Sequence, residues 1–183
     1  GAKNVMAVMP TGSGKTVVVS KIVHEHKGAS VAIAHRQELV SQLSIALARD
    51  GVRHRIVGQR QIIKLIVNQH MAELGKTFYD PSAHCAVAGV DTLVRRKEQL
   101  AGWLNTVTLW VQDEGHHVLA GNKWGTAADM FPNAKGLAVT ATPIRADGKG
   151  LGRHADGLID EMVEGLTMRE LINLGYLTDY RIF

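Results

Sequence analysis

The sequence predicts an α/β domain, a parallel sheet sandwiched by helices, and two observations predict it. Short apolar runs of strand length alternate with longer segments of helical period along the 183 residues. Such alternation marks units whose helical crossovers cover both faces of a parallel sheet. The polar motifs of the chain follow directly on apolar runs, at the carboxyl ends of the strands, where folds of this kind place their sites.

Each element has its own reason. Asn4 to Met9 is an apolar run that reads as a buried strand, followed by a Gly-rich turn and a helix from about Thr16 to His26. Ser30 to Ala34 (SVAIA) is a second strand. Gln37 to Asp50 is a helix because Leu39, Leu43 and Leu47 fall on one face. His54 to Val57 is a short, weak strand, and Gln61 to Leu74 a helix with Ile62, Leu65, Ile66 and Met71 as its expected apolar stripe. His84 to Ala88 is a strand, and Asp91 is expected to cap a helix running to about Trp103. Thr106 to Gln112 (TVTLWVQ) is strongly strand-like. Trp124 to Met130 is a short helix closed by Pro132, and Lys135 to Val139 the next strand. Residues 145–157 form a Gly-rich, charged loop. Thr167 and Glu170 fit a capping box for a helix Met168 to Asn173, which Gly175 ends. Tyr180 to Phe183 begins a further strand. One domain is therefore expected over residues 1–178, with 179–183 leading out of it.

Composition narrows the function classes. The chain is 45% hydrophobic and 21% charged, as globular proteins are. A domain of this length buries roughly 70% of its unfolded surface, so it needs no disulfide or metal staple. No apolar run reaches the ~18–20 residues that span a bilayer, and Gly1 to Met9 lack the pattern of a secretory signal. No membrane association is expected. The single cysteine, Cys85, has no partner for an internal disulfide and is expected to be an inert buried thiol. A cytoplasmic or nucleoid-associated protein is the expectation. The net charge of +4 permits contacts with a phosphate backbone. Aromatics at 5% argue against a base-stacking platform, and Trp103, Trp110 and Trp124 are expected to pack in the core.

Thr11-Gly12-Ser13-Gly14-Lys15-Thr16 lies between a predicted strand and a predicted helix. Gly12 and Gly14 allow backbone angles closed to other residues, so that consecutive N–H groups form an anion nest at the positive end of the helix. Lys15 can reach the β- and γ-phosphates of ATP, and the Thr16 hydroxyl can ligate Mg²⁺. The usual pattern opens with glycine where this chain has Met9, at the strand end and outside the nest. Asp113-Glu114-Gly115-His116 follows the strand TVTLWVQ. Asp113 can hold Mg²⁺ opposite Thr16, and Glu114 can polarise an attacking water as a general base. Taken alone, two acids at a strand end more often face solvent; the phosphate loop upstream reverses that preference. His116 and His117 lack a second cluster at ligand spacing, which argues against zinc.

With these motifs in place, the sequence resembles the first motor domain of superfamily 2 helicases of DExH type. MPTGSGKT, then Ala34-His35-Arg36-Gln37-Glu38-Leu39-Val40, then Asp113-Glu114-Gly115-His116, then Thr140-Ala141-Thr142-Pro143 occur in the family's order. The resemblance is greatest to XPB-like repair helicases, related phage helicases and the motor subunits of restriction enzymes. It implies a RecA-like P-loop NTPase fold that binds ATP and Mg²⁺ and moves on or unwinds nucleic acid. Thr11 to Thr16 would hold ATP, with Lys15, Asp113 and Glu114 as the catalytic group and Thr16 and Asp113 at the metal. His116, Thr140 and Thr142 would couple hydrolysis to movement. His35, Arg36 and Thr92 (within GVDTLVRR) would touch the nucleic-acid backbone. Arg145 and Asp147 fall where XPB-like proteins carry an Arg-Glu-Asp triplet, although the middle residue here is Ala146. The family pattern leans to DNA over RNA. It also implies a second RecA-like domain in the same protein, supplying arginine fingers worth ~10³–10⁵ in rate, so residues 1–183 alone are expected to be monomeric and nearly inactive. Two rival readings are an ATP-switched binding module and a small-molecule P-loop kinase; the kinase leaves AHRQELV and TATP unexplained.

Overall fold

The computed structural model describes residues 4–8, 15–113, 126–127 and 129–140 in full, and the backbone of 161–163. Its strands are β1 (Asn4–Val8), β2 (Ala29–Ala34), β3 (Arg55–Val57), β4 (Cys85–Gly89), β5 (Val107–Asp113), β6 (Lys135–Thr140) and β7 (Glu161–Val163). The helices are α1 (Lys15–Glu25), α2 (Gln37–Arg49), α3 (Arg60–Leu74), α4 (Val90–Arg95) and α5 (Ala101–Leu104). The strands form one seven-stranded sheet in the order β3-β4-β2-β5-β6-β1-β7. Every pairing is parallel, as the alternation of elements predicts.

Hydrophobic clusters cover both faces of the sheet. On one face α1, α2 and α3 pack Val18, Val19, Val23, Leu43, Leu47 and Ile66 over Ala32, Val87, Val111 and Val139. On the other, α4, α5 and the residues Ala127, Met130, Phe131 and Ala134 enclose Met6, Ile33, Trp110 and Ala138. All six residues of β2 are buried, which is why this central strand reads as an unbroken apolar run. Trp103 meets Phe131 edge to face, with centroids 6.0 Å apart, and the Arg55 guanidinium lies 5.1 Å from the Trp103 centroid. Trp103 and Trp110 are thus packing residues, as expected; Trp124 lies outside the described residues.

Two expectations are corrected. In α3 the buried pair is Ile66 and His70, while Leu65 and Met71 are 63% and 49% exposed. The polar His70 is accepted in the interior because its hydrogen bonds are made there. The helix expected from Asp91 to Trp103 is broken: α4 ends at Arg95, turns follow, and α5 begins at Ala101. Asp91 does not cap it either. The N-cap is Gly89, and Asp91 lies in the first turn, where its charge suits the helix dipole.

A directed chain of hydrogen bonds ties α2, α3 and the edge of the sheet together. Ser44 Oγ lies 2.7 Å from His54 Nε2 and 3.0 Å from His70 Nε2, and all three residues are fully buried. Phe78 N–H donates to His70 Nδ1, so His70 carries its proton on Nε2 and donates to Ser44. The Val52 carbonyl accepts from His54 Nδ1, so His54 Nε2 accepts the Ser44 hydroxyl proton. Both rings are satisfied only when neutral. Burial pushes His54 down to about 4, against its bond to Val52 and helped by the neighbouring His70; burial lowers His70 too. His54 takes up its proton near pH 6.5 in the unfolded chain, and in the folded chain it resists down to about 4. Stability from His54 is therefore complete above pH 6.5 and falls as the pH drops through that window. The loss should reach about 2 kcal/mol at pH 5. Urea midpoints at pH 7.5 and pH 5 check this. An equal drop in His54→Gln would show that His54 is not the cause.

The buried Cys85 thiol is pushed up to about 11 by desolvation, in keeping with an inert thiol. No helix among the described residues is long and apolar enough to cross a membrane.

Candidate nucleotide site and adjoining cleft

Because all strands run the same way, their carboxyl ends share one edge of the sheet. Val8 ends β1 opposite Thr140, which ends β6, and Asp113 ends β5 opposite Val139. Lys15 opens α1, and its Nζ lies 3.9 Å from Asp113 Oδ1. The two side chains are 18% and 9% exposed, so the pair is sheltered yet open at one side. At that distance it is a charge pair rather than a short hydrogen bond. The sequence separates these residues by almost a hundred positions, and the parallel sheet brings them together. Thr16 follows on the first turn of α1, half-buried. Thr11, Gly12, Ser13, Gly14, Glu114, His116 and Thr142 lie outside the described residues, as do Arg145 and Asp147. Among the described residues no group of three or more His, Cys, Asp or Glu could hold a metal ion by itself.

The donor set at this edge fits a magnesium nucleotide. An ammonium at a helix start suits phosphate, and a hydroxyl with a carboxylate suits Mg²⁺, a hard cation that keeps several of its waters. Thr140, fully buried, ends the strand that separates β1 from β5. Gln112, one residue before Asp113, is fully buried, and neither its Nε2 nor its Oε1 has a partner among the described residues. Leaving an amide so costs about 1–3 kcal/mol. The sequence shows Gln112 only as the end of a strand.

A second feature lies along the same edge. Ala34 and Gly89 end β2 and β4 in register, which places His35 and Arg36 beside the start of α4. Together with Gln37, Asp91, Thr92 and Arg95 they line a cleft of about 390 Å³. Thr92 accepts a long contact, 3.5 Å, from Arg95 Nη2. His35, Arg36 and Thr92, which the family resemblance groups, all line this cleft; the far wall, made by Val57, Gly58, Gln59 and Ile62, has no counterpart in the sequence reading. Its signal is weak: Gly58 and Gln59 also follow directly on a strand, but β3 has only three residues. Arg36 is the N-cap of α2 and Gln59 that of α3, and neither side chain caps its helix. The positive starts of two long helices and two arginines therefore border the cleft.

A parallel sheet covered on both faces, with Lys15 at the first helix facing Asp113 at a strand end, has the architecture of RecA-like helicase domains. Residues 1–145 match the family described as "Type III restriction enzyme, res subunit", and the chain belongs to that family. A 51.5 kDa protein of Lactococcus phage (isolate 7-9) is 28% identical over 181 residues, 97% of this chain and 32% of that protein. The DNA 3'-5' translocase XPB2 of Sulfurisphaera tokodaii is 30% identical over 149 residues, 80% of this chain and 29% of that protein. The crystal structure of the UvsW helicase from bacteriophage T4 superposes with a TM-score of 0.59 over 88% of this chain and 54% of that one. At 14% identity that likeness speaks for the fold alone. The chain thus spans between about a quarter and a third of the length of the relatives it matches, and it is a helicase-family domain.

Proposed function

We propose that this chain is the ATP-binding part of an ATP-driven motor that moves on or unwinds DNA. The observation that carries the reading is the convergence of Lys15 and Asp113 at 3.9 Å, on the edge of the sheet that also bears the cleft. Lys15 would hold the phosphates with Thr11, Gly12, Ser13 and Gly14, and Thr16 and Asp113 would hold Mg²⁺. The metal, when bound, draws charge from the transferring phosphoryl group. Glu114 would orient and deprotonate the attacking water. Arg36, Thr92, His35 and the positive helix starts suit a sugar-phosphate backbone, since they offer positive charge, a hydroxyl and helix-terminal N–H groups. Thr140, Thr142 and His116 would carry the coupling between the two. A second RecA-like domain of the same protein would close over the nucleotide.

The test is ATP hydrolysis by the complete protein with duplex DNA, single-stranded DNA and RNA added in turn. Stimulation by DNA alone supports the reading. Stimulation by RNA alone keeps the motor and overturns the choice of DNA. No stimulation by any of them favours the rival in which ATP only switches binding. Glu114→Gln separates the two further. In a motor it should slow turnover by about 10²–10⁴ and leave ATP binding intact; a switch would keep ATP-dependent DNA affinity and lose no function.

A further inference from the structure

Gln112 stands between the two parts of the candidate site. Its in-register neighbours are Ile33 on β2 and Ala138 on β6. Ile33, Ala138 and Trp110, two residues before Gln112, belong to the cluster on the face away from α1–α3. Asp113 follows Val111 on the α1 face, so the amide and the carboxylate leave β5 on opposite sides. Two residues beyond the neighbours come His35, at the mouth of the cleft, and Thr140, at the end of β6. The amide of Gln112 is therefore no part of the Lys15–Asp113 pair, and an apolar side chain would fill the same space without leaving two polar atoms unmatched. A buried group of this kind calls for an explanation. A carboxamide carries two donors and an acceptor, so it can take up partners on either side when the strand ends shift.

We propose that Gln112 is a positioning residue that couples the nucleotide end of β5 to the cleft. Its amide makes its hydrogen bonds in the state that holds nucleotide and nucleic acid together, to polar groups brought to it by the ends of β2 and β6. The inference rests on the motor reading above.

The experiment compares the complete wild-type protein with Gln112→Met, Gln112→Leu and Gln112→Glu. It measures ATP turnover with and without saturating duplex DNA, and the unfolding temperature. Methionine is close in size and apolar, so the unfolding temperature should hold or rise; leucine is the second apolar variant. In both, the ratio of stimulated to unstimulated turnover should fall about tenfold, within the usual range for coupling between two sites. Gln112→Glu should recover part of the ratio, because a buried carboxyl stays protonated and keeps a donor and an acceptor. An unchanged ratio with a higher unfolding temperature would overturn the proposal, leaving the amide as a bare burial cost. So would a lower unfolding temperature in both apolar variants, or an equal fall in both turnovers. A wild type that no DNA stimulates would overturn the motor reading itself, before any variant is made.

Discussion

Gly136→Ala is expected to destabilise the domain by about 3 kcal/mol or more, the upper end for overpacking a well-filled core. Gly136 lies opposite Trp110 in the β5–β6 register, and the indole covers it. A Cβ built there would stand 1.9 Å from Cζ2, 2.2 Å from Cε2 and 2.6 Å from Cη2 of Trp110. Those are ring atoms of a side chain only 1% exposed, enclosed in the same cluster as Met6, Met130 and Phe131. The indole has nowhere to go, so either β6 shifts or the ring leaves its rotamer. Gly28 makes the contrast: its Cβ would meet the Thr108 hydroxyl at 2.3 Å, and a hydroxyl can turn away. Urea unfolding measures the effect. Combining Gly136→Ala with Trp110→Leu should be at least about 1 kcal/mol milder than the two single losses added, because each change relieves the other. Gly102→Ala is the control; nothing lies within 4 Å of its Cβ, and it should stabilise α5 by about 0.5–1 kcal/mol. A Gly136→Ala protein within about 0.5 kcal/mol of wild type would show that the sheet accommodates the methyl group.

The strands were legible because burial on both faces writes itself as unbroken apolar runs, and β2 is the clearest case. The nucleotide motif stands out in the sequence because glycines followed by lysine and threonine have a local cause; of it, the described residues include Lys15 and Thr16. The strand order was not. β6 enters between β1 and β5, and β4 between β2 and β3, because crossover helices pack where the far faces allow, and no local pattern records that. β7 escaped because three residues, Glu161 to Val163, are too few to show a period. In α3 the spacing admits more than one stripe. Choosing by hydropathy favoured Leu65 and Met71 over His70, whereas Ser44 and Phe78 supply His70 with partners that only the tertiary fold provides. The far wall of the cleft and the orphaned amide of Gln112 were hidden for the same reason: each becomes visible only when strands distant in sequence lie side by side.

Lys15→Ala and Asp113→Ala should each lower DNA-stimulated ATP turnover of the complete protein at least about a hundredfold, the loss usual when one preorganised charge is removed from a reacting phosphate. The two variants should fail differently. Without Lys15 the phosphates lose their cation, so ATP affinity falls. Asp113→Asn should bind ATP nearly as wild type does but need far more Mg²⁺ to turn it over. Lys15→Arg should not restore activity, because a planar fork cannot replace a compact ammonium at the start of α1. Combining the two alanine changes should cost little more than either alone, since residues that act as a unit do not add. Stability is read on Asp113→Asn, which keeps the side chain's shape while removing its charge and should move little; the alanine changes leave a sheltered charge without this partner and cost more. That split between a large kinetic loss and a small thermal one is the discriminating result. A pair kept for structure would lose stability first and keep its turnover within about tenfold once folded. At 3.9 Å the ammonium of Lys15 is within reach of Asp113 but not locked to it by a short hydrogen bond, which is the arrangement a phosphate-binding lysine needs.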